Sequence, residues 1–381
     1  MMRRLPSKIL MTADTVGGVW SYSVDLIREF AKSGIEVLLA TMGGPLNAAQ
    51  QAEISGCRNL KLEASNFKLE WMQEPWEEVQ AAGQWLLALE REFEPDLIHL
   101  NGYAHGALPW LAPKIVVGHS CVLSWWQAVH GVDAPEEYST YRGTVQEGIR
   151  AADAVVAPSH AMMRSLREHY GPFDGKKTVV IPNGRVPGEY RARNKENFIL
   201  SAGRLWDEAK NVRAVCACST KVPWKICVAG ETKHPDGQCA EFPDVKSLGY
   251  LTPASMKEVY ARAAIYALPA KYEPFGLSIL EAGLSGCALV LGDIPSLREN
   301  WDGAALFVAP DDGGEIETGL RRLIQNPNEL ERLGQLASAR GRKYRSEVSA
   351  RKYLELYSDL LITPAGKEFH GVAERGTLLT A

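Results

Sequence analysis

A chain of 381 residues exceeds what one ordinary hydrophobic core holds, and a composition of 46% hydrophobic and 23% charged residues is that of a globular protein. A formal charge of −4 gives no reason to expect nucleic acid or an anionic membrane surface as partner. Seven cysteines, an odd number without a C-x-x-C pair, argue against a disulfide framework and for buried thiols, with Cys216 and Cys218 the one pair to test for metal.

Taken in order, the chain opens with Arg3, Arg4 and the short apolar run Ile9-Leu10-Met11, too brief for a secretion signal. No later run approaches the ~18 apolar residues of a membrane span. A cytoplasmic location is therefore expected, with peripheral membrane contact left open. Residues 8–12 read as a first strand. Thr15-Val16-Gly17-Gly18-Val19 then turns into a helix over 20–32, whose Val24, Ile27 and Ala31 share one face, and 36–41 is the next strand. The turn lacks G-x-G-x-x-G. Gly17 and Gly18 serve either a tight turn alone or close backbone approach of a ligand at a helix N-terminus.

The polar segment 47–73 shows no clear period. A helix over 76–92 follows, and short apolar runs recur at 95–100, 114–118, 154–157 and 178–181, with helices around 141–151 and 160–170. Alternating strands and helices define a parallel sheet covered on both faces. Ligands of such sheets sit beyond the carboxyl ends of the strands. His119, directly after its strand, is placed for chemistry, whereas His99 lies within a strand and reads as a satisfied core histidine. His105 and His130 are expected in loops near the same edge. The neighbours Trp125 and Trp126 cannot both face one core, and either could stack on an acceptor ring.

Residues 181–188 are dense in turn formers, and the pattern restarts after Tyr190. Strands are expected at 197–203, 225–230, 245–250, 265–268, 288–291 and 304–308. This gives a first domain over 1–190, a second over 191–345, a closing helix over 346–362 and a loose tail over 363–381. Arg204 follows the first strand of the second domain and Lys210 precedes its helix. Both would project at the carboxyl edge, where together they can neutralise a diphosphate. The stretch 268–282 ends a buried strand, turns through Pro274 and Gly276, and enters a helix at Leu277, with Glu273 and Glu281 bracketing the turn. Backbone N–H groups at such a turn suit an anion, and flanking carboxylates suit hydroxyls. Together they suggest a sugar nucleotide.

With these residues in view, the chain resembles glycosyltransferase family 4, of the GT-B fold: two Rossmann-like, doubly wound α/β domains facing a central cleft. Glu273-Pro-Phe-Gly-Leu-Ser-Ile-Leu-Glu281 is similar to the family's E-x7-E motif, and Gly203-Arg204 with Lys210-Asn211 to its G-R…K-N motif. The resemblance implies a retaining transfer of a sugar from a nucleoside diphosphate sugar, UDP or GDP being the expected nucleotide, and the absence of a D-x-D motif leads to the expectation that it is metal-independent. The acceptor hydroxyl would belong to a small molecule, a saccharide or a lipid-linked acceptor. No further cofactor, metal or nucleic acid is implied. By position, Gly17 and Gly18 would approach the donor through backbone, Arg204 and Lys210 would hold the diphosphate, and Glu273 would accept from the donor sugar. Phe275, Gly276, Leu277 and Ser278 would lie beside it, Glu281 would bind ribose, and His119 would stand by the transferred sugar. The closing helix would cross back onto the first domain. Two departures stand out: Ala229-Gly-Glu-Thr-Lys233 replaces a G-x-G-P-like turn, and Gly292–Glu299 lacks the Gly-Gly-x-x-Glu form. A GT-B epimerase or phosphorylase, or a two-lobed protein that binds sugar nucleotides without chemistry, are the alternatives.

Overall fold

A computed structural model describes residues 4–173, 175–233, 237 and 241–362. Cys239 and the expected tail over 363–381 lie outside them. The first sheet has seven parallel strands: β1 (Lys8–Asp14), β2 (Glu36–Met42), β3 (Leu60–Ala64), β4 (Leu97–Leu100), β5 (Lys114–Val117), β6 (Ala154–Ala157) and β7 (Lys177–Val180). Their order is β3-β2-β1-β4-β5-β6-β7. The second has six: β8 (Glu196–Ala202), β9 (Lys225–Ala229), β10 (Lys246–Ser247), β11 (Ala263–Leu268), β12 (Ala288–Gly292) and β13 (Leu306–Val308), in the order β10-β9-β8-β11-β12-β13. In each sheet the chain first builds outward to one side and then crosses to the other. The reversal falls between β1 and β4, and between β8 and β11, and ligands of open sheets bind at such points.

Helices cover both faces. Those of the first half are α1 (Gly18–Ala31), α2 (Ala48–Ile54), α3 (Trp76–Phe93), α4 (Val122–His130), α5 (Ser139–Ala151) and α6 (His160–Tyr170). The second half adds α7 (Val212–Cys216), α8 (Pro253–Arg262), α9 (Leu277–Leu284), α10 (Pro295–Trp301), α11 (Gly313–Gln325) and α12 (Pro327–Gly341). Alternation along β1 feeds two separate cores, Leu10 joining Leu86, Val116 and Leu166 on one face, and Ile9 and Met11 joining Ile27, Phe30 and Leu97 on the other. One core spans the second sheet, from Ile199 and Ile265 to Leu289 and Leu320.

The last helix, α13 (Ser346–Ile362), packs on the first half rather than the second, inserting Tyr353, Leu356 and Tyr357 into the core beneath α1. Ser346 Oγ donates to Glu29 Oε1 at 3.0 Å, which seats its first turn on α1. The unassigned polar segment forms α2 and the edge strand β3, whose residues from Leu60 to Glu63 are all half-buried. An edge position explains the weak alternation. Residues 245–250, expected as a full strand, pair only over two exposed residues of β10.

Candidate active site

Between the two sheets lies a cleft of about 2220 Å³, lined from both halves. The turn after β1 forms one lip. Gly17 has φ +89°, a conformation that disfavours a side chain, and α1 begins at Gly18 with no side-chain cap, leaving its first N–H groups open. A Cβ on Gly17 would stand 3.7 Å from Arg204 Nη1, and one on Gly18 would stand 3.4 Å from Leu277 Cδ1. A Cβ at either position would make only ordinary van der Waals contact across the cleft, so it is the positive φ of Gly17, not want of space, that calls for glycine.

The opposite wall comes from the ends of β8 and β11. Lys210 Nζ donates to Glu273 Oε2 at 2.8 Å, and both side chains are largely buried. Arg204 Nη2 donates to Asp207 Oδ2 at 2.9 Å, and its guanidinium lies 5.3 Å from the ring of Trp206. Burial alone would raise the Asp207 pKa, but Arg204, Lys210 and the Trp125 indole N–H together hold it below its ordinary value. The turn before α9 has Gly276 at φ +90° and no side-chain cap, so the N–H groups of the first helical turn are open. Phe275 contributes backbone only: its ring is buried, edge-on to Tyr344. Ser278 Oγ accepts from Tyr266 at 2.8 Å.

Glu281 carries a partner that sequence reasoning missed. Arg185, in the linker, donates from Nε to Glu281 Oε1 at 2.8 Å and from Nη1 to Asp25 Oδ2 at 2.5 Å, bridging α1 and α9. Its burial would depress the guanidinium pKa, yet the two carboxylates keep it raised above the ordinary value.

On the first-half wall, His119 Nε2 lies 2.9 Å from Asn101 Oδ1, and His99 Nε2 lies 3.1 Å from the same oxygen. The Asn101 amide nitrogen donates to Thr12 O at 2.7 Å, which fixes Oδ1 as the acceptor and both histidines as Nε2–H tautomers. His119 Nδ1 is thus left as an acceptor. Burial lowers the pKa of both imidazoles to about 3. His99, buried within its strand, also meets Tyr357 of α13 at Nδ1, 2.5 Å away, and is a core histidine as expected. The carboxylates of Asp14, at the end of β1, and Glu70 also line the cleft. Neither was singled out by sequence reasoning. A carboxylate at the end of the first strand, three residues before a Gly-Gly turn, was the available signal for Asp14.

The remaining expectations need correction. His130 is the last residue of α4 rather than a loop residue, and its ring stands 4.5 Å from that of Trp126. Trp125 lines the cleft and donates from Nε1 to Asp207 Oδ1 at 2.9 Å, which ties α4 to the second half. His105 donates to Val79 O at 3.0 Å. Cys218 Sγ donates to Ala214 O, and among the described residues no group of three or more His, Cys, Asp or Glu side chains is gathered to hold a metal ion. Glu299, within α10, caps the first-half helix α6 by accepting from His160 and Ala161 N–H at 2.7 and 2.9 Å.

Two Rossmann-like sheets whose switch points face one cleft define the GT-B fold. Residues 16–187 match Glycosyltransferase Family 4 and residues 185–340 match Glycosyl transferases group 1, so the chain belongs to the family 4 type of glycosyltransferase. The D-inositol 3-phosphate glycosyltransferase of Kineococcus radiotolerans is 25% identical, covering 90% of each chain. A Mycobacterium tuberculosis glycogen synthase is 25% identical over 67% of this chain and 66% of its own length. Among solved structures, the sucrose-phosphate synthase of Thermosynechococcus elongatus superposes with a TM-score of 0.79 at 18% identity, covering 93% of this chain and 99% of that one. Anabaena HepE in complex with UDP-glucose gives 0.72 at 18%, covering 92% and 99%. At these identities the likeness to solved structures is one of fold. No helix among the described residues is long and apolar enough to cross a membrane.

Proposed function

We propose that this enzyme moves a sugar from a nucleoside diphosphate sugar to an acceptor hydroxyl with retention of anomeric configuration and without a metal ion. The observation that carries the reading is the approach of Arg204, beside Lys210 and Glu273, to within 3.7 Å of the Cβ position of Gly17. It gathers two cations, two uncapped helix starts and a carboxylate around one point. Arg204 and Lys210 neutralise the departing diphosphate, aided by the N–H groups at the starts of α1 and α9. The carboxylate of Glu273 accepts from donor sugar hydroxyls, and Glu281, anchored by Arg185, accepts from ribose. UDP-glucose in the HepE structure supports a UDP-sugar donor.

In the transfer itself, the acceptor oxygen bonds to the anomeric carbon on the face from which the phosphate oxygen leaves. The electron pair of the broken bond stays on the diphosphate, which takes the acceptor's proton. His119 Nδ1, held unprotonated, accepts from a sugar hydroxyl beside the reacting centre. Closure of the two walls excludes water and suppresses hydrolysis.

A panel of UDP-, GDP- and ADP-sugars, incubated with mixed acceptors and with or without chelator, tests this reading. Nucleoside diphosphate release that needs acceptor and survives chelation is expected, with NMR showing the donor's anomeric configuration in the product. Inverted product, or activity lost on chelation and restored by a divalent cation, would contradict it. Epimerised donor, or release that requires phosphate, would favour the epimerase or phosphorylase alternative.

A further inference from the structure

A carboxylate beside the cations that receive a diphosphate is adverse by charge alone, since it repels the incoming anion. Asp207 is such a group. Its side chain is only 3% exposed, and Oδ2 accepts from Arg204 Nη2 at 2.9 Å. The other oxygen, Oδ1, accepts from the Trp125 indole N–H at 2.9 Å and from the Ala209 N–H at 3.0 Å. With both oxygens engaged, Asp207 has no place in the proposed transfer as base or nucleophile. What it holds explains why it is there.

Two of its partners belong to the donor wall. The Ala209 bond caps the short turn Glu208–Lys210, and the Lys210 N–H donates to Asp207 O at 3.0 Å, so one residue sets the backbone that carries Lys210. The third partner comes from the other half of the chain. Trp125 stands on α4, which begins three residues after His119, and the N-cap of that helix, Cys121, donates its N–H to the Tyr272 hydroxyl at 3.1 Å. Arginine and a carboxylate often pair through two parallel N–H···O bonds. Here Oδ1 is taken, and the grip is through Nη2 alone. Nη1 is left toward the Gly17 turn, 3.7 Å from where a Cβ on Gly17 would stand. By filling Oδ1, the indole keeps the carboxylate from taking both prongs of the guanidinium.

We propose that Asp207 is a positioning residue of the donor site: pinned at Oδ1 by Trp125 of the first half, it holds Arg204 by one nitrogen and aims the other at the diphosphate. Alignment of the phosphate-binding cation therefore depends on α4 being seated against the second half. The proposal rests on the nucleoside diphosphate reading of the cleft.

Calorimetric binding of UDP against UMP, and of GDP against GMP, to the full-length protein tests it in the better-bound pair, the added phosphate reporting on Arg204. Charge alone predicts that Asp207→Asn binds the diphosphate more tightly. Positioning predicts the reverse: the preference for diphosphate over monophosphate should fall at least ~5-fold, as for a lost hydrogen bond to a charged group. Trp125→Phe keeps a ring, removes the N–H and alters no charge, and its preference should fall by a similar factor. In an Arg204→Ala background neither substitution should lower the preference further, because both act through that guanidinium. Glu299→Ala breaks a different bond between the halves, the cap on α6, and should leave the preference within ~2-fold. Melting curves establish that each variant is folded at the binding temperature, and Trp125→Phe carries the test alone if Asp207→Asn is not. A tighter diphosphate in Asp207→Asn, an unchanged preference in Trp125→Phe, additivity with Arg204→Ala, an equal loss in Glu299→Ala, or failure of both diphosphates to bind would overturn the assignment. Sugar transfer is measured separately on the same protein. Its absence would count against the transferase reading and leave the binding comparison intact.

Discussion

His119 donates its Nε2–H to Asn101 Oδ1 across adjacent strand ends, at 2.9 Å, and the same oxygen receives His99. One amide thereby fixes the tautomers of two imidazoles whose pKa values burial lowers to about 3. The His119 ring should remain neutral down to pH 5 in nitrogen-15 NMR titration. An ionised carboxylate in place of the amide favours the imidazolium. Asn101→Asp should therefore bring the titration of His119 into the range between pH 5 and 8. A wild-type ring already charged at pH 6 would refute the assignment.

Asp14 is pushed up from 3.8 to about 7, first by burial and then by Glu70, against the lowering influence of Arg204. Between those two values the native state holds a proton that the unfolded chain has released. The contribution of this group to stability is thus fully present below pH 3.8 and is lost as pH rises through about 7. The three-unit gap sets a ceiling of roughly 4 kcal/mol, and partial solvation reduces the expected effect to ~1–2 kcal/mol. Asp14→Asn should melt higher than the parent at pH 8, with the difference vanishing near pH 4. A variant less stable than the parent at pH 8 would contradict this account.

The alternation of apolar runs with helical periods was enough to read both sheets, because buried parallel strands are continuous apolar stretches. The edge strand β3 escaped, since a half-solvated strand needs no strong pattern, and β10 is shorter than the run 245–250 suggests. In the cleft, the legible residues were those whose chemistry is tied to a local turn: Gly17, Gly18, Arg204, Lys210 and the 273–281 stretch. Asn101, Arg185 and Glu70 were not legible, because the partners that give them their roles (His119 and Thr12, Asp25 and Glu281, and the Tyr103 N–H) lie far along the chain, whereas Asp14 was signalled only by its place before the Gly17 turn. The link between Tyr357 and His99 spans 258 positions. The hydrogen bond of Trp125 was not legible for the same reason: its partner Asp207 belongs to the other half of the chain.

Arg204 is the cation nearest the Gly17 turn and the least buried of the charged pairs on its wall, with its side chain 35% exposed. Removing one donor to a developing anion costs ~3 kcal/mol in the transition state. Arg204→Ala should thus lower kcat/KM by roughly two orders of magnitude. Because Asp207 stays paired with the Trp125 indole N–H, the melting temperature should change little. An unchanged kcat/KM would remove Arg204 from the reaction.

Arg185 should behave in the opposite way, mattering to the fold as much as to the donor. Its guanidinium and both carboxylates it joins are largely buried, with side-chain exposures of 9% for Arg185, 15% for Asp25 and 16% for Glu281. The bridge also sits where the linker crosses the chain's return, since Arg185 N–H donates to Tyr344 O and Ser346 N–H to Arg185 O. Truncating one partner of a buried ionic network strands the others, at a cost of about 3–5 kcal/mol. Arg185→Ala should destabilise the protein by that order in urea unfolding. It should also weaken UDP binding, because Glu281 loses the group that orients it. Arg185→Lys keeps one charge but cannot fork to two carboxylates, and should fall between the two. A loss under ~0.5 kcal/mol in Arg185→Ala would mean the bridge behaves as a solvated surface pair, which its burial does not allow.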